Sequence, residues 1–160
     1  MKQFIVLSDT HGELTEAEEI LRSWPGIRSV IHLGDYSRDA LQLKEAFPEH
    51  EFFIISGNCD FFLSEAPMER LLEVEGKKLL LTHGHRYDVK NGTGRLEARG
   101  KAEGLDVVLY GHTHIPLLLK TSAGLILNPG STSSPRGGHH GTYALLEIGN
   151  GRIEARLLEV

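Results

Sequence analysis

Two histidines stand two residues apart in the segment Gly111-His112-Thr113-His114. The preceding residues 106–110, Asp-Val-Val-Leu-Tyr, are typical of a buried strand. Because alternate side chains of an extended chain point to the same side, we expect both imidazoles to face one place at the carboxyl end of that strand. Imidazole is a common metal ligand, and open α/β sheets hold their ligands at this end of the strands. A polar turn with two solvated histidines is the alternative interpretation.

Carboxylate, amide and imidazole side chains also follow the other apolar segments of the chain. The complete set of candidate ligands is Asp9, His11, Asp35, Asn58, His83, His112 and His114. Hard oxygens mixed with imidazoles suit borderline divalent ions such as Mn²⁺, Fe²⁺, Co²⁺, Ni²⁺ or Zn²⁺. With a single cysteine in the sequence, a thiolate cluster for structural zinc is excluded. These groups are too many for one tetrahedral ion, and they suffice for two ions that share a carboxylate.

The first part of the chain alternates between two kinds of apolar pattern. A continuous apolar segment at 4–7 and largely apolar segments at 27–33 and 51–56 predict buried strands, and His32 within the second is expected to be a core or sheet-face histidine. Apolar residues recur at helical spacing from 13 to 24 and from 38 to 47. This alternation predicts a parallel sheet with right-handed crossovers.

The second part changes in organisation. Residues 71–81 predict a hairpin around Gly76, and residues 93–103 a helix interrupted by Gly100. Further strands, expected to be antiparallel, are predicted at 116–121, 125–127, 143–148 and 153–158. The glycine- and serine-rich segment 128–141 is a predicted loop, in which His139 and His140 are expected to be solvated. A parallel half and an antiparallel half predict two stacked sheets flanked by helices.

Size and charge limit the classes of protein. A chain of 160 residues with 40% hydrophobic and 24% charged residues fits one domain, residues 1–160. The net charge of −5 gives no bulk basic field that would attract nucleic acid or an anionic membrane, so neither is an expected partner. The N-terminal apolar segment is too short for a secretory signal, and the lone Cys59 favours a reducing, cytoplasmic compartment.

Five motifs together resemble those of the calcineurin-like metallophosphoesterases. They are Asp9-Thr10-His11, Gly34-Asp35, Gly57-Asn58-Cys59-Asp60, His83-Gly84-His85 and Gly111-His112-Thr113-His114, and Asn128-Pro129-Gly130-Ser131 also fits. The similarity covers essentially the whole chain and is greatest to small phosphodiesterases of the YfcE type. It implies an α/β (α+β) fold, a four-layer α-β-β-α sandwich, with a dinuclear metal centre at the sheet ends.

The resemblance also implies how the candidate ligands divide. Asp9, His11 and His114 would hold one ion, Asn58, His83 and His112 would hold the other, and Asp35 would bridge them. Mn²⁺ is the expected metal, with Ni²⁺, Fe²⁺, Co²⁺ and Zn²⁺ as alternatives. Asn58 can bind through its carbonyl oxygen while its amide donates to phosphate, and His85 is a candidate substrate-facing group.

The implied reaction is hydrolysis of a small phosphate ester, with a phosphodiester favoured. Two ions about 3.5–4 Å apart lower the pKa of a shared water, and the bridging hydroxide attacks phosphorus in line with the leaving group. Many relatives have a histidine after the asparagine, thought to protonate the leaving group, where this chain has Cys59. A thiol with a pKa near ~8.5 is a poorer acid catalyst at neutral pH, which favours substrates with good leaving groups. Alternatively, Cys59 is a small buried residue beside the metals.

Two other functions fit the same fold. A eukaryotic retromer subunit resembles this family and serves as a protein-binding scaffold, with an incomplete metal site. A nuclease of the superfamily is the other alternative, which the acidic net charge disfavours. Since no ligand of the expected set is missing here, the sequence favours the enzyme, as a monomer or a homo-oligomer.

Overall fold

The computed structural model describes residues 1–60 and 66–160. Within these residues the α-helices are α1 Thr15–Ser23, α2 Ser37–Ala46 and α3 Gly94–Glu103, and 3-10 helices span His85–Tyr87 and Val89–Asn91. The strands are β1 Lys2–Leu7, β2 Ser29–His32, β3 Glu51–Ile54, β4 Glu69–Val74, β5 Lys77–Thr82, β6 Val107–Leu109, β7 Leu117–Thr121, β8 Gly124–Asn128, β9 Thr142–Gly149 and β10 Arg152–Glu159.

The strands of the described residues form two five-stranded sheets, in the orders β10-β9-β1-β2-β3 and β4-β5-β6-β8-β7. Strands β1, β2 and β3 pair in parallel, as do β5, β6 and β8, and the remaining strands add antiparallel. The predicted division into a parallel half and an antiparallel half is therefore wrong, because both sheets are mixed. The C-terminal hairpin joins the N-terminal sheet since β9, almost fully buried, pairs with β1.

The side chains of β1 point alternately to the two faces of its sheet, and this shows how the layers form. Phe4 and Val6 lie in the core between the sheets, together with Leu79 of β5 and Leu109 of β6. The residues between and after them, Ile5 and Leu7, face the opposite side and pack against the helices α1 and α2. On the second sheet, Leu80, Val108 and Ile126 pack against Leu96 of α3. The layer order is thus α-β-β-α, which confirms the predicted fold class.

The burial of apolar side chains against the sheets also explains the helices. Ala17, Ile20 and Leu21 of α1 are buried at helical spacing, and Pro25-Gly26 follows the end of the helix. Gly100, which lowers the helix propensity of α3, faces the second sheet, and a Cβ there would lie 2.9 Å from the carbonyl oxygen of Ala123. The glycine is required by this close packing. Within the described ranges, none of the helices is long and apolar enough to cross a membrane.

Candidate metal centre

Asp9, directly after β1, presents one carboxylate oxygen to a cluster of imidazoles. Its Oδ2 accepts hydrogen bonds from Ser8 Oγ at 2.6 Å and from the backbone N–H of His112 at 3.0 Å. Its Oδ1 is buried and has no hydrogen-bond partner among the described residues. This oxygen lies 3.3 Å from His114 Nε2 and 3.8 Å from His83 Nε2. The two donors therefore orient the carboxylate so that its free oxygen faces the imidazoles.

Two of these imidazoles are oriented by backbone carbonyl groups. His83 Nδ1 lies 2.7 Å from the carbonyl oxygen of Leu33, and His114 Nδ1 lies 2.6 Å from that of Ser134. A carbonyl oxygen can only accept, so each Nδ1 carries a proton, and Nε2 of the neutral ring presents its lone pair. In this neutral form each Nε2 faces a carboxylate oxygen, acceptor against acceptor, and in the metal-free protein a proton on His83 Nε2 removes the conflict at that ring. A bound cation between them would also resolve it, and a hydrogen bond from the other ring nitrogen to a carbonyl oxygen is typical of metal-ligating histidines.

The titratable ligands form two groups. In each group one ligand atom per residue lies within 4.8 Å of the others, and the groups are Asp9, His11, His114 and Asp35, His83, His112. Asp35 faces both, since its Oδ2 is 3.3 Å from His83 Nε2 and 3.8 Å from His11 Nε2. One carboxylate with two imidazoles in each group suits a divalent transition-metal ion.

Asn58 supplies an oxygen beside the second group. Its Oδ1 is buried and, within residues 1–60 and 66–160, has no hydrogen-bond partner. The next residue, Cys59, donates its backbone N–H to Asp35 Oδ1 at 2.9 Å, which places this turn against the carboxylate. An unpaired buried amide oxygen is costly unless it is coordinated or hydrated. The structure thus brings the titratable candidate ligands together in two adjoining groups and places the turn of Asn58 against Asp35, and the ligand roles stay predictions.

The ligand loops are not extended, contrary to the sequence-based expectation for His112 and His114. Both have a left-handed backbone, with φ values of 70° and 58°, and so do Asp9, His11 and Asp35 at 55°, 46° and 44°. The turns send the two imidazoles to different groups rather than to one place. Left-handed backbone is unfavourable for residues with a Cβ and clusters at functional sites. The residue pattern gives no sign of this conformation.

Electrostatics within the second group favours an anionic carboxylate. Burial raises the pKa of Asp35, but its hydrogen bond with His83 and the charge of His83 outweigh that effect, so its pKa lies well below the usual range. Burial similarly opposes protonation of His83, but Asp35 and Asp9 raise its pKa overall. Burial, followed by the charges of His83 and Lys90, lowers the pKa of His112 to about 4. His112 is therefore neutral at pH 7 and can act as a ligand.

His85 lies at the edge of the second group. Its ring centroid is 5.5 Å from that of His83 and 6.1 Å from that of His112. Its Nδ1 is buried without a hydrogen-bond partner in the described part of the chain. Burial and then the charge of His83 lower the pKa of His85. A neutral imidazole is thus available at this position, and its catalytic role stays a prediction.

Asp60 positions the second group, a role that the sequence did not reveal. Its carboxylate accepts hydrogen bonds from the backbone N–H groups of Gly57 at 2.6 Å, Ser37 at 2.8 Å and Asp35 at 3.2 Å. It therefore ties the loop after β3 to the loop after β2. The available signal was its place in the Gly57–Asp60 motif. Cys59 itself is exposed, so the alternative that it is a small buried residue is wrong.

A buried chain of hydrogen bonds beneath the first group joins His32, Thr10 and Asp39. The N–H of Gly34 donates to His32 Nδ1 at 3.2 Å, so Nε2 carries the proton and donates to Thr10 Oγ1 at 3.0 Å. The Thr10 hydroxyl then donates to Asp39 Oδ2 at 2.6 Å. His32 is a core histidine, as predicted, and burial lowers its pKa. Because Thr10 lies between Asp9 and His11, this chain fixes their loop relative to α2.

Thr10→Val keeps the volume of the side chain and removes both of its hydrogen bonds. We expect the metal affinity of the first group to fall by about 10–100-fold, the usual cost of losing an outer hydrogen-bond partner. Competitive titration with a metal indicator measures it. The matched control is Thr132→Val, because Thr132 is also buried but its Oγ1 has no hydrogen-bond partner among the described residues. Equal affinities in the two variants would contradict the positioning role of Thr10.

The fold and the two ligand groups define a metallophosphoesterase. The model of the calcineurin-like phosphoesterase superfamily domain matches residues 1–151, and the chain belongs to this superfamily. Among its relatives is the phosphodiesterase YfcE of Escherichia coli K12. The two are 32% identical over an alignment 170 residues long, which covers 92% of this chain and 88% of YfcE.

Solved structures support the same assignment. The crystal structure of a predicted phosphoesterase from Streptococcus pneumoniae matches with a TM-score of 0.82 and 32% identity, over 99% of this chain and 89% of that one. Vacuolar protein sorting 29 from Cryptosporidium parvum matches with a TM-score of 0.77 over 99% of this chain and 97% of that one. At 18% identity, that likeness concerns the fold alone.

Proposed function

We propose that this chain is a phosphodiesterase that depends on two divalent metal ions, with Mn²⁺ the expected metal. The observation that supports it most is the buried Asp9 Oδ1, which faces Nε2 of His114 and of His83 and has no hydrogen-bond partner among the described residues. Asp9, His11 and His114 would hold one ion, and Asn58, His83 and His112 the other. Asp35 would serve both, since its Oδ2 faces His11 and His83.

The side chains around these groups fit work on a phosphate ester. Bound divalent ions would supply Lewis acidity, which lowers the pKa of water and offsets the charge of the phosphate. Asn58 can use its carbonyl oxygen as a ligand and its amide N–H to donate to a phosphate oxygen. His85, with its lowered pKa, is neutral at pH 7 and can relay a proton.

Metal dependence and ester preference test the proposal together. Protein stripped with a chelator should be inactive, and each metal of the expected set is then added back to it. Each form is assayed against aryl phosphomonoesters and aryl phosphodiesters that share one leaving group. We expect activity to return with close to two ions per chain and to favour the diesters. Full activity of the stripped protein, or activity on monoesters alone, would contradict the proposal.

The completeness of the ligand set favours this enzyme over a protein-binding scaffold. Both ligand groups contain a carboxylate and two imidazoles, and Asn58 lies beside the second. A scaffold has no need to hold five residues of these groups in left-handed backbone conformations. The likeness to vacuolar protein sorting 29 concerns the fold alone, so it is no argument for a scaffold function.

Cys59→Ala should retain substantial turnover on an activated aryl phosphodiester. Partial desolvation of the sulfur and then the charge of Asp35 raise the pKa of the metal-free Cys59 thiol to about 11, so it is neither a ready nucleophile nor a useful acid at neutral pH. An activated phenol leaves without a proton, and the loss of the thiol should cost less than about tenfold in rate. Loss of activity with metals bound and fold intact would overturn this assignment.

Cys59→His is the complementary variant. An imidazole titrates near neutral pH and can protonate an alkoxide leaving group. The gain over the wild type should be largest, up to about 100-fold, for esters with poor leaving groups, and should shrink as the leaving-group pKa falls. Rates measured across a leaving-group series at fixed metal test this expectation. A gain that is the same for every ester would contradict the acid role and leave the metal requirement untouched.

A further inference from the structure

A pocket of about 460 Å³ lies beside the metal centre, between the 3-10 helix Val89–Asn91 and the segment 110–117. Its apolar wall consists of Val89, Tyr110, Ile115, Pro116 and Leu117. Ile115 is 40% exposed although its side chain is large and apolar. Concave apolar surfaces with a few polar groups are the usual form of small-molecule sites.

Three observations place this pocket next to the ligand loops. Thr113 lines the pocket and lies between the candidate ligands His112 and His114. The backbone N–H of Arg136, another lining residue, donates to the carbonyl oxygen of His114 at 3.2 Å. Val89, of the apolar wall, packs against Gly84 next to the candidate ligand His83, since a Cβ on that glycine would lie 3.3 Å from the Val89 side chain. A substrate held at the metal centre therefore has this pocket within reach of its organic group.

The pocket is positively charged although the chain as a whole is acidic. Its described lining includes Lys90 and Arg136 and no aspartate or glutamate, in a chain of net charge −5. Within the described ranges, neither Lys90 nor Arg136 forms an ion pair. Their charges are therefore available to a ligand. Apolar walls with unpaired cations complement an apolar group that carries a negative charge.

We propose that this pocket binds the non-reacting organic group of the phosphodiester substrate, and that this group has an aromatic or apolar body bearing a second negative charge. The inference rests on the proposed function and adds the class of substrate. The apolar body packs on Tyr110, Ile115 and Leu117, and the charge lies near Lys90 and Arg136. The scissile phosphate stays at the metal centre, so the two charges of the substrate are bound separately.

Three esters with the same p-nitrophenol leaving group test the proposal: methyl, phenyl and 4-carboxyphenyl p-nitrophenyl phosphate. The methyl ester leaves the pocket empty, the phenyl ester fills its apolar part, and the carboxyphenyl ester also reaches the cations. We expect kcat/KM to rise by about tenfold from methyl to phenyl. A further rise of about fivefold for each cation engaged is expected for the carboxyphenyl ester, mainly through KM.

Variants locate the effect in the pocket. Lys90→Met and Arg136→Met should each lower the ratio of kcat/KM for carboxyphenyl over phenyl by about fivefold. Ile115→Ala should instead lower the ratio of phenyl over methyl. The matched controls are Lys120→Met and Arg152→Met, which change exposed residues of the same types outside the pocket. Ratios that are equal in wild type, variants and controls would overturn the proposal.

Equilibrium binding separates this inference from the proposed function. Calorimetric titration of the metal-loaded protein with 4-carboxyphenyl phosphate and with phenyl phosphate needs no turnover. A tighter Kd for the carboxylated compound that is lost in Lys90→Met supports the pocket even if none of the esters is hydrolysed, a result that would contradict only the proposed function. Equal Kd values for the two compounds, with hydrolysis of all three esters, would overturn only the pocket.

Discussion

Asp35→Asn is expected to abolish phosphodiester hydrolysis and to lower the metal content of both ligand groups. The Asp35 carboxylate faces His83 at 3.3 Å and His11 at 3.8 Å, so one anion serves both groups. An asparagine keeps the shape and supplies no charge to offset a divalent cation. The loss of activity should exceed the ~10–100-fold that follows removal of an outer hydrogen-bond partner, because a ligand itself is removed. Metal analysis of the purified variant and its residual kcat measure both effects.

The matched control for this variant is Asp88→Asn. Asp88 also has a left-handed backbone, with φ of 53° against 44° for Asp35, but it is exposed and lies outside both groups. Asparagine tolerates this conformation as well as aspartate does, so backbone strain is matched. Asp88→Asn should keep its metals and its turnover. Two retained ions and near-normal activity in Asp35→Asn would rule out a shared ligand.

His112→Ala and His114→Ala should each lose one ion, and not the same one. Although only Thr113 separates them in the sequence, His114 lies with Asp9 and His11, and His112 with Asp35 and His83. Each variant should retain about one ion per chain, with activity reduced by at least about 100-fold, more than for the loss of a residue that only hydrogen-bonds a ligand. Anomalous scattering from crystals of each variant identifies the position that is empty.

Two measurements make the result specific to ligation. Histidine is found in left-handed backbone more often than alanine, so the thermal unfolding of the metal-free variants is compared first. His139→Ala, which removes an exposed histidine of the loop 128–141, is the control and should keep both ions. If the same position is empty in both variants, the assignment of His112 and His114 to different groups is wrong.

The convergence of the candidate ligands could be predicted from the sequence because the strands that position them obey simple rules. Apolar segments end where Asp9, Asp35 and His83 begin, and the carboxyl ends of parallel strands meet at one edge of a sheet. The layers were also predictable, since Phe4 and Ile5 alternate between two hydrophobic cores.

Other features depend on contacts that no local pattern encodes. The left-handed turns at His112 and His114 are imposed by the surrounding loops, and the residue types there do not specify them. The pairing of β9 with β1 depends on burial across the whole fold. Asp60 holds its loops by accepting hydrogen bonds from three backbone N–H groups, and two of these, of Asp35 and Ser37, are 25 and 23 residues away in the sequence. Each of these requires the tertiary structure.

Both sheets supply candidate ligands to the site, and this has a consequence for stability. Asp9 and Asp35 follow strands of the first sheet, whereas His83 and His112 follow strands of the second. A divalent ion in either group would be a reversible cross-link between the sheets. In the first group, an ion held by His11 and His114 would close a loop of 103 residues. A covalent link that closes a loop of that length raises the free energy of the unfolded chain by about 4.7 kcal/mol, because it restricts the conformations of that chain. The protein would thus be able to hold its ions only while its two sheets are packed together. Separation of the sheets would therefore abolish metal binding and activity at the same time.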